Sequence, residues 1–347
     1  MAEREEDSRA NGPRPRIGLI LSLQGLGQTV EAARAAEAAG FESVWTTEFP
    51  DRSATISFAA VAQATERVTV GTAIAYAFGR TPIVLAAEAR DMDEISDGRM
   101  ILGLGTGTRR MQQEWHGLDG TAPAPRMEEL VPLLRRLIEL DQGPVEHEGR
   151  FYRTNVTPTA PVAPPRRSEP PIYMGGVNPR MIEAAGAVAD GLVGHPLFTR
   201  SYTREVVEPA LARGAERSGR STPPIAGYLT CSVASDSDLA RNNARAIVAF
   251  NSTVKTYRVI HRHHGFEEQA ERVRAAWGAG DFEAMLAAVD DEMLDTVALA
   301  GTAEEVIARF DADRADLFDR TLLWPPAHLG LEGALQVIEA FAGRAAG

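Results

Sequence analysis

Four short stretches carry the residues whose types and spacing suit chemistry. In "ISDGRMILGLGTGTRR" (95–110) the apolar run Met100-Ile101-Leu102 leads into Gly103, Gly105 and Gly107 and then two arginines. Glycines crowded after a strand-like run mean a tight turn or a close approach to the main chain. Main-chain N–H groups freed in such a turn suit a phosphate. "PPIYMGGVNPRM" (170–181) repeats the arrangement with Gly175-Gly176, and Pro179 stands where a helix would open. Two glycine-lined strand ends on one face would suit a phosphate-bearing tail lying across them. A dinucleotide fingerprint is excluded, because G-x-G-x-x-G needs glycine where Thr108 stands and no acidic ribose ligand follows at the right distance.

Two residues suit proton transfer. Glu48 closes the apolar stretch "FESVWTTE", and a glutamate whose pKa burial raises toward neutrality can donate a proton. The bland alternative is a carboxylate bonded to backbone or paired with Arg52. His195, in "DGLVGHP", can orient a substrate or protonate it, or can simply be a hydrogen-bonded structural histidine. "HRHHG" (261–265) has no carboxylate or cysteine at ligand spacing and reads as a helix end with solvent-facing imidazoles. Cys231 alternates within a strand-like run and reads as a small buried hydrophobe. Tyr76, Phe78, Trp115 and His116 either cap a pocket or pack as ordinary aromatics. Arg80 and Arg180 flank the glycine loops, placed to neutralise phosphate or to pair with a surface acid.

The elements that must position these groups alternate along the chain. Strand-like runs at 16–22, 41–48, 67–76, 99–107, 170–176, 190–196, 224–234 and 319–326 are separated by amphipathic helical stretches, among them 28–40, 53–66, 82–96, 126–141 and 179–189. A long helical stretch is expected over 236–295. Strands buried on both faces read as continuous apolar runs, and eight such units predict an α/β fold, a (β/α)8 TIM barrel, as a single domain over 16–347. Residues 143–171 and 258–295 break the rhythm as insertions at the C-terminal strand ends, where barrels of this kind build their pockets.

The 347 residues carry 48 acidic and 36 basic side chains, a formal charge of −12, which argues against nucleic acid or an anionic membrane as partner. The charged, Pro- and Gly-punctuated residues 1–15 read as a disordered tail without an apolar signal core, and no apolar run approaches the length of a membrane span. With one cysteine there is no disulfide framework. A cytoplasmic protein is expected.

The segment from "VWTTEFPDRS" through "ISDGRMILGLGTG", together with "PPIYMGGVNPRMIEAAGAVADGLVGHP", resembles the luciferase-like monooxygenase superfamily. The remainder, notably "GHPLFTRSYTREVVEPALARG", is similar to its coenzyme F420 (deazaflavin) branch. The resemblance implies a barrel, commonly a homodimer, with a flavin or deazaflavin at the C-terminal strand ends. It implies a non-prolyl cis peptide between Ala73 and Ile74 in a bulge against the cofactor ring. It implies cofactor contacts at Gly105, Thr106, Gly107, Thr108, Gly175 and Gly176, and by adjacency at Thr47 and Val177. Where sugar-phosphate dehydrogenases of this branch carry an Asp-His pair and a later glutamate, this chain has Thr47-Glu48 and Thr108, so sugar-phosphate oxidation is not expected. The resulting expectation is an F420-dependent oxidoreductase that moves a hydride to a small organic substrate, with C=C or C=N reduction preferred and Glu48 or His195 handling the proton. An FMN-dependent two-component monooxygenase is the alternative, and a non-catalytic flavin-binding barrel the second.

Overall fold

A computed structural model describes residues 15–345; apart from Pro15, the tail expected over 1–15 lies outside the described residues. Strands β1 (Ile17–Leu21), β2 (Ser43–Thr46) and β3 (Thr69–Thr72) are followed by the two-residue β4 (Ala75–Tyr76) and by β5 (Met100–Gly105). A hairpin, β6 (Val145–Glu148) and β7 (Arg153–Val156), precedes β8 (Ile172–Gly175), β9 (Gly191–Val193), β10 (Ile225–Val233), β11 (Ala298–Gly301) and β12 (Arg320–Trp324).

Parallel pairing runs β1-β2-β3-β5-β8-β9-β10-β12 and closes when β12 pairs β1, giving an eight-stranded (β/α)8 barrel. Every residue of β1, β2, β5, β10 and β12 is buried, as continuous apolar runs require when helices cover the outside and side chains fill the inside. Ile20, Trp45, Ile101, Tyr173 and Leu322 belong to one interior cluster, with Ala73, Tyr228 and Trp324 at its upper end. No helix among the described residues is long and apolar enough to cross a membrane.

Three departures from the expected elements have local causes. The strand expected over 67–76 is broken between β3 and β4, where Ala73 and Ile74 leave the ladder. A helix at Arg109–His116 occupies a stretch that reads as loop, because only Gln112 of its eight residues is buried and no apolar stripe marks it. The long helical stretch is several short helices: left-handed Gly265 (φ 75°) and Gly280 (φ 73°) close two of them. β11 follows, pairing only with the upper part of β10, at residues 230–233.

Gly103 illustrates how closely these strands pack. The Thr72 hydroxyl donates to the Gly103 carbonyl (2.7 Å) and accepts from the Gly103 N–H (2.9 Å). A Cβ at 103 would run into the Thr72 carbonyl oxygen, which as backbone cannot swing aside. Gly103→Ala is therefore expected to cost about 1–3 kcal/mol in urea unfolding. Gly27→Ala, where a Cβ meets nothing within 4 Å, is expected to be neutral or mildly stabilising.

Candidate active site at the barrel mouth

The break in the third strand organises the mouth. The Ala73–Ile74 peptide is cis, and the Tyr228 hydroxyl donates to the Ala73 carbonyl from across the barrel. Ile74 then lies over two neighbouring strand ends. A Cβ on Gly105 would sit 2.7 Å from Ile74 Cγ1, and one on Gly175 would sit 3.2 Å from Ile74 Cγ2. These two glycines therefore make room for a side chain of the protein itself, a use the sequence reading did not assign to them.

The main-chain donors lie one or two residues further along. Among the described residues none accepts a hydrogen bond from the N–H of Thr106, Gly107 or Val177. Gly107 turns the chain at φ 64°, and Gln112 Nε2 holds the Thr106 carbonyl at 2.8 Å. Thr108 caps the helix Arg109–His116 by accepting from the Met111 N–H (3.2 Å). The Gly176 N–H makes a long bond to the Val193 carbonyl (3.4 Å). At Val177 the carbonyl is fixed by the Tyr202 hydroxyl (3.1 Å), which leaves its N–H side open. Both loops thus sit at the N-terminal ends of helices, Arg109–His116 and Pro179–Val188, where donors and dipole favour an anion.

Glu48 and Thr47 close β2 on the other side, Thr47 buried. Both oxygens of the Glu48 carboxylate are engaged: Arg80 Nη2 donates to Oε1 at 2.7 Å, and Arg80 Nη1 (2.9 Å) and the Tyr76 N–H (2.5 Å) donate to Oε2. The partner is Arg80 and not Arg52, which instead donates to the Gln24 carbonyl. The bond to Glu48 raises the Arg80 pKa further, so this guanidinium stays charged. Tyr76 stacks edge-on against His116 (centroids 5.4 Å apart). Phe78 lies under the Arg126 guanidinium at 4.1 Å. Arg180 is tied to Glu128 (3.0 Å) on the neighbouring helix.

His195 lies just past the end of β9. It is 7 % exposed, its ring centroid lies 3.9 Å from that of Tyr257, and its Nδ1 accepts from the Leu197 N–H (3.3 Å). That bond places the ring proton on Nε2. Burial, with a smaller contribution from His261, lowers the His195 pKa to about 3, so the imidazole is neutral at physiological pH. The 261–265 segment does not present solvent-facing imidazoles as expected. His261 is 2 % exposed, and burial lowers both it and His264 to about 4. Cys231 is buried, and burial raises its thiol pKa.

The sequence reading missed Tyr228, Tyr257 and Trp324. Tyr228 and Trp324 meet edge-on at 5.7 Å, and the Trp324 indole N–H is buried without an acceptor among the described residues. Trp324 had a usable signal, since "WPP" ends the last strand where barrel pockets form. Tyr257 sits in an insertion with no pattern to single it out.

The family model described as luciferase-like monooxygenase matches residues 7–321. An uncharacterised protein of Mycobacterium tuberculosis is 33 % identical over 307 residues, 86 % of this chain and 89 % of that one. The 5,10-methylenetetrahydromethanopterin reductase of Methanopyrus kandleri is 28 % identical over 294 residues, 80 % of this chain and 83 % of the reductase. The solved coenzyme F420-dependent tetrahydromethanopterin reductase from the same organism superposes with a TM-score of 0.79 at 26 % identity, covering 96 % of this chain and 98 % of that one.

Proposed function

The chain belongs to the luciferase-like monooxygenase family, and on that footing we propose that it is a coenzyme F420-dependent oxidoreductase acting on a small organic substrate, with reduction of an activated C=C or C=N bond as its reaction. The observation that carries the cofactor reading is the pair of loops at one mouth whose Thr106, Gly107 and Val177 N–H groups have no acceptor among the described residues. An anionic tail fits those donors, and a planar ring fits the apolar floor of Ala73 and Ile74, the latter seated on Gly105 and Gly175. The orphaned Trp324 N–H is a further donor that a bound carbonyl would satisfy.

In this reading the tail is held by Thr106, Gly107, Thr108, Gly176 and Val177, while Thr47, Ala73, Ile74, Gly105 and Gly175 form the wall against the ring. The bound deazaflavin supplies hydride exchange with the substrate. The protein's share is position, exclusion of water and one proton. Tyr228 fixes the Ala73 carbonyl, which keeps the floor in place. His195 presents its Nε2–H to the substrate atom that gains the proton. Glu48 takes a bracing role, because both of its carboxylate oxygens already accept from Arg80 or Tyr76.

Titrating purified protein with oxidised F420 and, separately, with FMN tests the assignment by fluorescence. Saturable F420 binding that survives His195→Asn is expected. Once an acceptor substrate is in hand, the same variant should slow its reduction by about a hundredfold. Tight FMN binding without F420 affinity would replace this reading with that of a flavin monooxygenase.

A further inference from the structure

In each of the two glycine-bearing loops a buried side chain holds one carbonyl. In the first, Gln112 is 2 % exposed, and its Nε2 donates to the Thr106 carbonyl at 2.8 Å. The Gln112 Oε1 is buried with no partner among the described residues. An orphaned buried oxygen is uncommon enough to require an explanation. Turning the amide over would set Oε1 against the Thr106 carbonyl oxygen, so this one bond fixes its orientation. A methionine would fill much the same space and leave no polar atom bare. What the amide adds is its hold on Thr106. In the second loop Tyr202 is fully buried, and its hydroxyl donates to the Val177 carbonyl (3.1 Å). Phe198 and His263 each pack 5.3 Å from its ring, centroid to centroid, and keep that ring in place.

The consequence lies on the far side of each peptide. A trans peptide points its carbonyl and the next residue's N–H in opposite directions. Ala73–Ile74 is the one cis bond among the described residues, so both of these peptides are trans. Drawing the Thr106 carbonyl toward Gln112 therefore turns the Gly107 N–H away from the helix Arg109–His116. Drawing the Val177 carbonyl toward Tyr202 turns the Asn178 N–H away from that ring. Neither N–H has an acceptor among the described residues, and the Asn178 side chain makes no capping bond to the helix Pro179–Val188. The 105–106 peptide is held by the backbone itself, through the Ala77 N–H on the Gly105 carbonyl (2.9 Å). The 106–107 peptide has no such backbone partner and precedes a glycine at φ 64°. Glycine accepts either sign of φ, so without Gln112 this peptide can turn over at little cost.

We infer that Gln112 and Tyr202 are positioning residues for an anion, each locking one peptide so that the Gly107 and Asn178 N–H groups stand ready before the ligand arrives. The inference rests on the proposed cofactor for what the anion is, but not for the geometry. A loop that presents its donor only part of the time binds more weakly by that fraction, and donors fixed in advance spare the ligand the cost of ordering them.

The test combines F420 titration by fluorescence with ¹⁵N amide spectra of cofactor-free protein to which inorganic phosphate is added. Gln112→Met keeps the volume and removes the donor; Tyr202→Phe removes only the hydroxyl. Each is expected to raise the F420 Kd about tenfold, the fraction lost if the freed peptide faces the ligand about one time in ten. Together they should raise it about a hundredfold, since they act on separate loops. Phosphate should shift the Gly107 and Asn178 amide signals, with the Gly107 response lost in Gln112→Met and the Asn178 response lost in Tyr202→Phe. A general loss of packing would not divide the two responses in this way. Tyr152→Phe, which removes a buried phenol bonded to Arg126 (3.1 Å) and to neither loop, should change none of these readings. Unaltered F420 and phosphate binding in folded Gln112→Met and Tyr202→Phe would overturn the inference and leave the cofactor reading standing. Amides in the unmutated protein that respond to neither ligand would also overturn it. The divided phosphate response in a protein that binds no F420 would uphold the two positioning residues and remove the cofactor reading.

Discussion

Alanine at Glu48 is expected to lower the unfolding free energy by about 3 kcal/mol, near the lower end of what orphaning one member of a buried ion pair costs. Arg80 and Glu48 are only 15 % and 10 % exposed, so solvent cannot replace the lost carboxylate cheaply. Glu88, 3.0 Å from Arg80 Nε, softens the loss without filling the vacated side of the guanidinium. The Tyr76 N–H loses its acceptor as well, which loosens β4 where it adjoins the bulge. Removing Arg80 together with Glu48 should cost less than the sum of the two single changes, with a coupling of about 1 kcal/mol or more. Urea unfolding of the four proteins measures this. A Glu48→Ala protein of unchanged stability whose only defect is a lost proton-transfer step would show that the carboxylate works as an acid and not as a brace.

Acid should destabilise this fold well before its carboxylates protonate. His195 and His261 have folded pKa values of about 3 and about 4, against 6.5 when exposed. Because the folded values are the lower ones, the unfolded chain binds protons first, and stability present above pH 6.5 is lost as the pH falls. At pH 5 each contributes a loss of about 2 kcal/mol, the free energy of 1.5 pKa units, or about 4 kcal/mol together. Glu128 and Glu129, whose pKa values are lowered, add their own dependence only below the ordinary carboxylate range, so the windows are separate. Urea midpoints taken from pH 7.5 to 5 should fall steeply, and His195→Gln should flatten part of the slope, the rest staying with His261 and the half-buried His264. A level profile over that span would mean that these rings are reachable by water.

The barrel was legible because its units are local. Each strand is a short apolar run beside its own amphipathic helix, and the order of eight such pairs is written along the chain. The two glycine loops were legible for the same reason, since Gly105 and Gly175 end strands and helices follow. What they receive was not. Ile74 reaches Gly105 from 31 residues earlier in the chain and Gly175 from 101 residues earlier, and no local pattern encodes that contact. Glu48 posed a similar difficulty: Arg52 lies nearer in sequence, but the turn after β4 delivers Arg80. The buried histidines failed as an expectation because His261, Arg262, His263 and His264 look polar in every direction, and only the fold shows that one face of that turn is covered. Gly265 and Gly280, by contrast, were visible helix stops within the stretch read as continuous.

β10 is long for a barrel strand, and its upper residues pair with β11 outside the ring. The helices between these two strands, which bring Tyr257 against His195, are consequently hung from the rim and not woven into the staves. A rim-mounted canopy can be lengthened, shortened or exchanged wholesale while the ring of strands and its two glycine-bearing loops keep their registers. Diversification of what such a catalyst accepts would then proceed by replacing one contiguous cassette, leaving the redox machinery beneath it undisturbed.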